Sequence, residues 1–131
     1  MEQSFEDIKL YLDDLKQLVS SGKYNIARNT NRIDNENLFI EYIINEKLVK
    51  KILTELKAHD FCYTLQNEHE NHEDEVLYVF GKEVSLSKRF GDEENDMHVV
   101  PLYIKINKIN QKFVIVVSFH KQKYPLKYAF K

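Results

Sequence analysis

The sequence predicts an α+β fold, with two N-terminal helices packed on an antiparallel sheet of four to six strands. Three observations predict it. Apolar residues recur at helical spacing only in the first part of the chain. From Asp60 onward the apolar runs are short and rich in β-branched and aromatic residues. The two patterns follow one another instead of alternating, which separates this chain from doubly wound α/β folds.

Each element has its own signal. Residues 1–22 read as a helix, with Phe5, Ile8, Leu12, Leu15 and Leu18 or Val19 on one face. Ser4 with Asp7 three positions on forms a capping pattern, and Gly22 stops the helix. Lys23 to Arg32 is basic, asparagine-rich and weakly strand-like, and Asp34 to Asn37 has turn composition. The second helix is placed at 45–58, with a possible start near Glu36. There Leu48, Val49, Ile52, Leu53 and Leu56 make an apolar stripe opposite Lys47, Lys50, Lys51 and Lys57. The sheet is assigned to residues 60–131. It comprises Asp60–Gln66, Val76–Phe80 ending at Gly81, a short strand or helical turn within Glu83–Phe90, Leu102–Ile109, Phe113–His120 and a last segment Tyr124–Phe130. Polar, acidic loops are expected at 67–75 and 91–98.

The chain of 131 residues fits a single domain spanning 1–131. No apolar run approaches the ~20 residues of a membrane span, so no membrane partner is expected. A lone Cys62 precludes an internal disulfide and a CxxC zinc ribbon, and fits a cytoplasmic location. No P-loop, GxSxG or GxGxxG is present. His69 and His72 lie among acids but lack metal-ligand spacing, so neither a metal nor another cofactor is expected.

Charge is distributed unevenly. Val99 to Lys131 holds seven lysines and no acid, whereas Asn67 to Asp96 holds ten acids and three bases. The formal net charge of -2 hides these opposed blocks. Such a chain is expected to meet a polyanion on one surface and a basic partner, or only water, on another.

Candidate chemistry lies in the last hairpin. If Asn110–Gln111 makes a two-residue turn, Lys105 pairs with Val116 and Tyr103 with Ser118. Leu102, Ile104, Ile106, Phe113, Ile115, Val117 and Phe119 then share a dry face. Tyr103, Lys105, Asn107, Val114, Val116, Ser118 and His120 share the other, with Tyr103 and His120 diagonal neighbours about 7–8 Å apart. A phenol, an ammonium, a hydroxyl and an imidazole are the groups needed to cut RNA without a metal. Imidazole moves protons near neutral pH, lysine stabilises phosphorane charge, and tyrosine donates a proton or stacks on a base. Arg28 and Arg32 are further phosphate-binding candidates.

Several stretches, in order, resemble the MqsR-type toxins of the RelE-like mRNA interferases. Leu15–Tyr24 looks like that family's first helix and its stop, and Ala27–Asn29 like its basic first strand. Asp60-Phe61 looks like the pair that closes the second helix. Leu102–Ile106 and Val116–Phe119 look like the last two strands. The likeness covers most of residues 10–121. It implies a RelE-like fold, metal-independent RNA endonuclease activity, and RNA and an antitoxin protein as partners. It implies Tyr103, Lys105 and His120 as catalytic, with His120 standing where the family has a lysine. It also implies Lys121, Lys82 and Tyr63 as nucleic-acid-binding, with Tyr63 at another family lysine position. The basic tail from Lys121 to Lys131 and the acidic block depart from the family pattern.

A second reading is a non-catalytic binding module of a phage or mobile element. Its acidic residues Glu73, Asp74, Glu75, Asp92, Glu93 and Glu94 would mimic nucleic acid and occupy a basic nucleic-acid-binding protein, such as a host nuclease. A third leaves the lysines only to guard a sheet edge.

Overall fold

The computed structural model describes residues 3–27, 33–67, 75–90, 97–110 and 112–130. Among these are helices α1 (Phe5–Ser20), α2 (Ile33–Glu41) and α3 (Glu46–Thr54). A 3-10 turn spans Ala58–Asp60. The strands are β1 (Tyr24–Ile26), β2 (Phe61–Gln66), β3 (Val76–Ser87), β4 (Met97–Ile109) and β5 (Phe113–Lys121). They form one sheet in the order β1-β5-β4-β3-β2. The α+β class stands as expected.

Two features of the architecture correct the expectation. The sheet is mixed, because β1 pairs with β5 in parallel while the other pairs are antiparallel. Only hairpin-linked neighbours are bound to run antiparallel, and β1 and β5 are far apart in the chain. There are also three α-helices among the described residues, not two. The chain breaks between α2 and α3 because Tyr42 bridges Lys88 and Ile43 N donates to Ser87 O at 2.9 Å. Arg89 then donates to Phe39 O and Tyr42 O, satisfying carbonyls at the end of α2. Asn45 Oδ1 accepts from Leu48 N at 2.8 Å and starts α3 afresh.

Local chemistry explains α1 well. Ser4 and Asp7 form the reciprocal capping box, at 3.0 and 3.1 Å. At the other end Gly22 adopts φ 78, with Lys23 N bonded to Leu18 O and Gly22 N to Val19 O. This left-handed closure admits glycine at no steric cost.

The helices pack on one face of the sheet. Register places Tyr78, Phe80, Ile104, Ile106, Val116 and Phe119 on that face. Tyr11 of α1 stacks on Tyr78 at 3.8 Å, and Phe39 of α2 stacks on Phe119 at 6.0 Å. α3 lies against α1, with Val49, Ile52 and Leu53 buried and Leu56 buried just beyond its end. No helix among the described residues is long and apolar enough to cross a membrane.

β3 does not end at Gly81 but runs on to Ser87. The glycine inside it marks a close approach of the Tyr128, Leu126 and Gln122 side chains, not a strand end. β4 likewise begins at Met97 and passes through Pro101. β5 ends opposite Leu102, so the proline lies where β4 has become an edge on that side.

Candidate functional site

The site's geometry depends on the β4–β5 hairpin, whose register differs from the expected one. Ile109 pairs with Phe113, not Lys112. Asn110 takes φ 50, and Lys112 N closes on Ile109 O at 2.9 Å. The connection is thus a longer turn with a left-handed residue. This added residue turns Val114 and Val116 inward, and both are fully buried. Opposite Lys105 and Ile106, Val117 is then the extra residue of a bulge in β5, which reverses the alternation. Phe119 is therefore inward, as expected, and Ser118 and His120 stand on the far face with Tyr103 and Lys105. The two one-residue shifts restore the face but add in register, so Tyr103 and His120 share a face as a direct pair, not a diagonal one.

The bulge is held by a residue that no sequence pattern singled out. Asn35 of α2 is almost wholly buried. Its Nδ2 donates to Ala27 O at 2.7 Å and to Val117 O at 3.0 Å, and its Oδ1 accepts from Phe119 N at 2.8 Å. β1 ends at Ile26, level with Val116, and among the described residues no strand pairs with the outer edge of β5 beyond that point. The Asn35 amide supplies one donor and one acceptor in place of a strand residue. It thereby fixes the backbone that carries His120.

The Tyr103 and His120 rings are stacked, 5.2 Å apart and 10° from parallel. His120 Nδ1 lies 2.8 Å from Lys121 O. A carbonyl only accepts, so this contact favours the tautomer with its proton on Nδ1 and leaves Nε2 with the lone pair. Burial, and then a hydrogen bond with Tyr63, push the Tyr103 phenol well above its ordinary range, so it stays protonated.

A cleft of about 450 Å³ lies over this pair, lined by Tyr63, Lys105, Ser118 and the segment Lys123–Lys127. Among the described residues no carboxylate lines it. Lys123, Tyr124 and Lys127 come from the tail after β5, where the sequence predicts a further sheet segment; among the described residues it forms no strand. Their signal in the sequence was the acid-free, lysine-rich end of the chain. Lys123 Nζ bonds Asp34 Oδ2 at 2.6 Å, which tethers the tail to α2 and lowers the Asp34 carboxyl below its usual range.

The other expected residues are placed elsewhere. Lys82 alternates to the helix side of β3, where it meets Asp60 at 3.7 Å and Glu55 O at 3.4 Å. Lys121 also alternates away from His120 and bonds Glu41 Oε1 at 2.7 Å beside the Tyr42 ring. Glu75 accepts from Asn107 Nδ2 at 2.7 Å and from Asn67 Nδ2 at 3.3 Å, fastening the base of the first acidic loop. Arg28, Arg32, Glu73, Asp74, Asp92, Glu93 and Glu94 lie outside the described residues. No group of three or more potential metal ligands is found among the described residues. Compared with family models, with curated proteins and with solved structures, the chain gives no match in any of the three.

Proposed function

We propose that this protein is a metal-independent RNA endonuclease of the RelE/MqsR-like kind, neutralised by an antitoxin partner and working at the Tyr103–His120 cleft. The observation that carries the reading is the stacked phenol–imidazole pair at the floor of a lysine-lined cleft.

The chemistry follows from the groups. Nε2 of His120 takes the proton of a ribose 2′-hydroxyl, whose oxygen attacks the adjacent phosphorus. Lys105 offsets the negative charge gathering on the phosphorane oxygens. As the bond from phosphorus to the 5′-oxygen breaks, the Tyr103 hydroxyl gives its proton to that oxygen. A phenol with a raised pKa is still far more acidic than the alcohol it forms here. The products are a 2′,3′-cyclic phosphate and a 5′-hydroxyl, and water returns the side chains to their starting charge.

The test is cleavage of single-stranded RNA by the purified protein in excess chelator, with product ends mapped chemically. Wild type is expected to cut, leaving cyclic phosphate ends. His120→Ala and Tyr103→Phe are each expected to be slower by about 10²–10⁴-fold at unchanged fold. A folded wild type that leaves RNA intact, or a His120→Ala variant that cuts as fast, sinks the proposal.

A further inference from the structure

The segment after β5 is anchored at both ends and open between them. At its start Gln122 N donates to Pro101 O at 2.8 Å, and Gln122 Nε2 to Leu102 O at 3.1 Å. At its end Ala129 N donates to Phe61 O at 3.0 Å, and the Phe130 ring stacks on Phe61 at 6.0 Å. Between these anchors Leu126 and Tyr128 come down on Gly81. A Cβ at Gly81 would lie 2.6 Å from Tyr128 Oη and 2.7 Å from Leu126 Cδ1, so the tips of these two side chains fill the space that a side chain at this position would take.

The outward residues of this strap do not serve the core. Tyr124 is 80% exposed, and Lys123 and Lys127 are exposed beside it. All three line the cleft above Tyr103 and His120. An aromatic ring flanked by two ammonium groups, carried on a segment fixed at both ends, is preorganised to take a flat ring joined to phosphates.

We infer that the C-terminal strap is a nucleotide-gripping subsite, in which Tyr124 stacks on the base next to the scissile phosphate while Lys123 and Lys127 hold flanking phosphates. The inference rests on the RNA-cleaving reading and deepens it. The gripped nucleotide has to be unpaired, because a base within a duplex has both faces covered by its neighbours. The subsite adds affinity with little choice among bases, since every base offers a π face. Lys123 has three donors, so it can keep Asp34 and still reach a phosphate.

The test uses the full chain carrying His120→Ala, so that RNA is bound but not consumed. Binding of a short fluorescein-labelled single-stranded RNA is followed by anisotropy at fixed salt. Adding Tyr124→Ala with Lys127→Ala is expected to weaken binding by about tenfold or more. Adding Lys47→Ala with Lys51→Ala, on the exposed side of α3, is expected to change it little. In the cleaving protein the strap variant is expected to raise KM and leave kcat nearly unchanged. If the parent binds RNA and the strap variant binds it equally well, the inference fails while the RNA reading stands. A fall in kcat with KM unchanged also overturns it, because the strap would then act in the chemistry. If the parent binds no RNA, both readings fall together.

Discussion

Replacing Asn35 with alanine tests the account of how the site is built. The substitution removes three hydrogen bonds, to Ala27 O, Val117 O and Phe119 N, from a residue only 1% exposed. Each bond contributes about 0.5–1.5 kcal/mol net, and a buried group left unpaired adds to the loss. Alanine fills too little of the space to close over these groups, although water can reach some of them. The expected cost is therefore about 2–4 kcal/mol. With a urea slope of about 2 kcal/mol/M, the denaturation midpoint should fall by about 1–2 M. The local signature is faster amide hydrogen exchange at Phe119, the donor that loses its acceptor, beyond what the global loss explains. A midpoint lowered by less than about 0.3 M with Phe119 exchange unchanged would refute the idea that Asn35 stands in for a strand residue at the bulge.

Two further outcomes are expected. Gly81→Val should lift the strap from the sheet, because its side chain would enter the space held by Leu126 and Tyr128. Trypsin should then cut faster after Lys123 and Lys127 with far-UV circular dichroism unchanged, and equal digestion rates would count against the docked strap. The second concerns alkaline pH. Burial raises the phenols of Tyr11 and Tyr103 above the ordinary value of 10.0. The native state thus holds these protons more tightly than the unfolded chain. The resulting stability is fully present below the unfolded pKa and is lost as pH rises through the folded one. Urea midpoints should fall above about pH 10, and Tyr103→Phe should flatten that fall; an unchanged slope would show that Tyr103 is not responsible.

Much of the local structure was legible in the chain, since its causes lie within a few residues. The Ser4/Asp7 cap, the Gly22 stop, the apolar stripe of α3 and the strand character of β2 and β5 all follow from neighbouring side chains and backbone preference. The break between α2 and α3 was not legible, because it depends on Ser87 and Arg89 from a distant strand. Gly81 read as a strand end for the same reason. What it accommodates is Leu126 and Tyr128, far along the sequence.

The sequence by itself determined the α+β class, the gathering of lysines at the C-terminal end and the presence of Tyr103, Lys105 and His120 on neighbouring strands. Composition and periodicity are local properties and are carried by the chain before it folds. Tertiary structure alone decided that β1 adds in parallel, that Lys82 and Lys121 turn away from the cleft, and that Lys123, Tyr124 and Lys127 turn into it. It also decided the pairing of Tyr103 with His120. A side chain's face on a strand has a period of two, so one residue in a turn or bulge reverses everything beyond it. Here the turn at Asn110 and the bulge held by Asn35 each contribute one such reversal, and only their sum brings the two rings together.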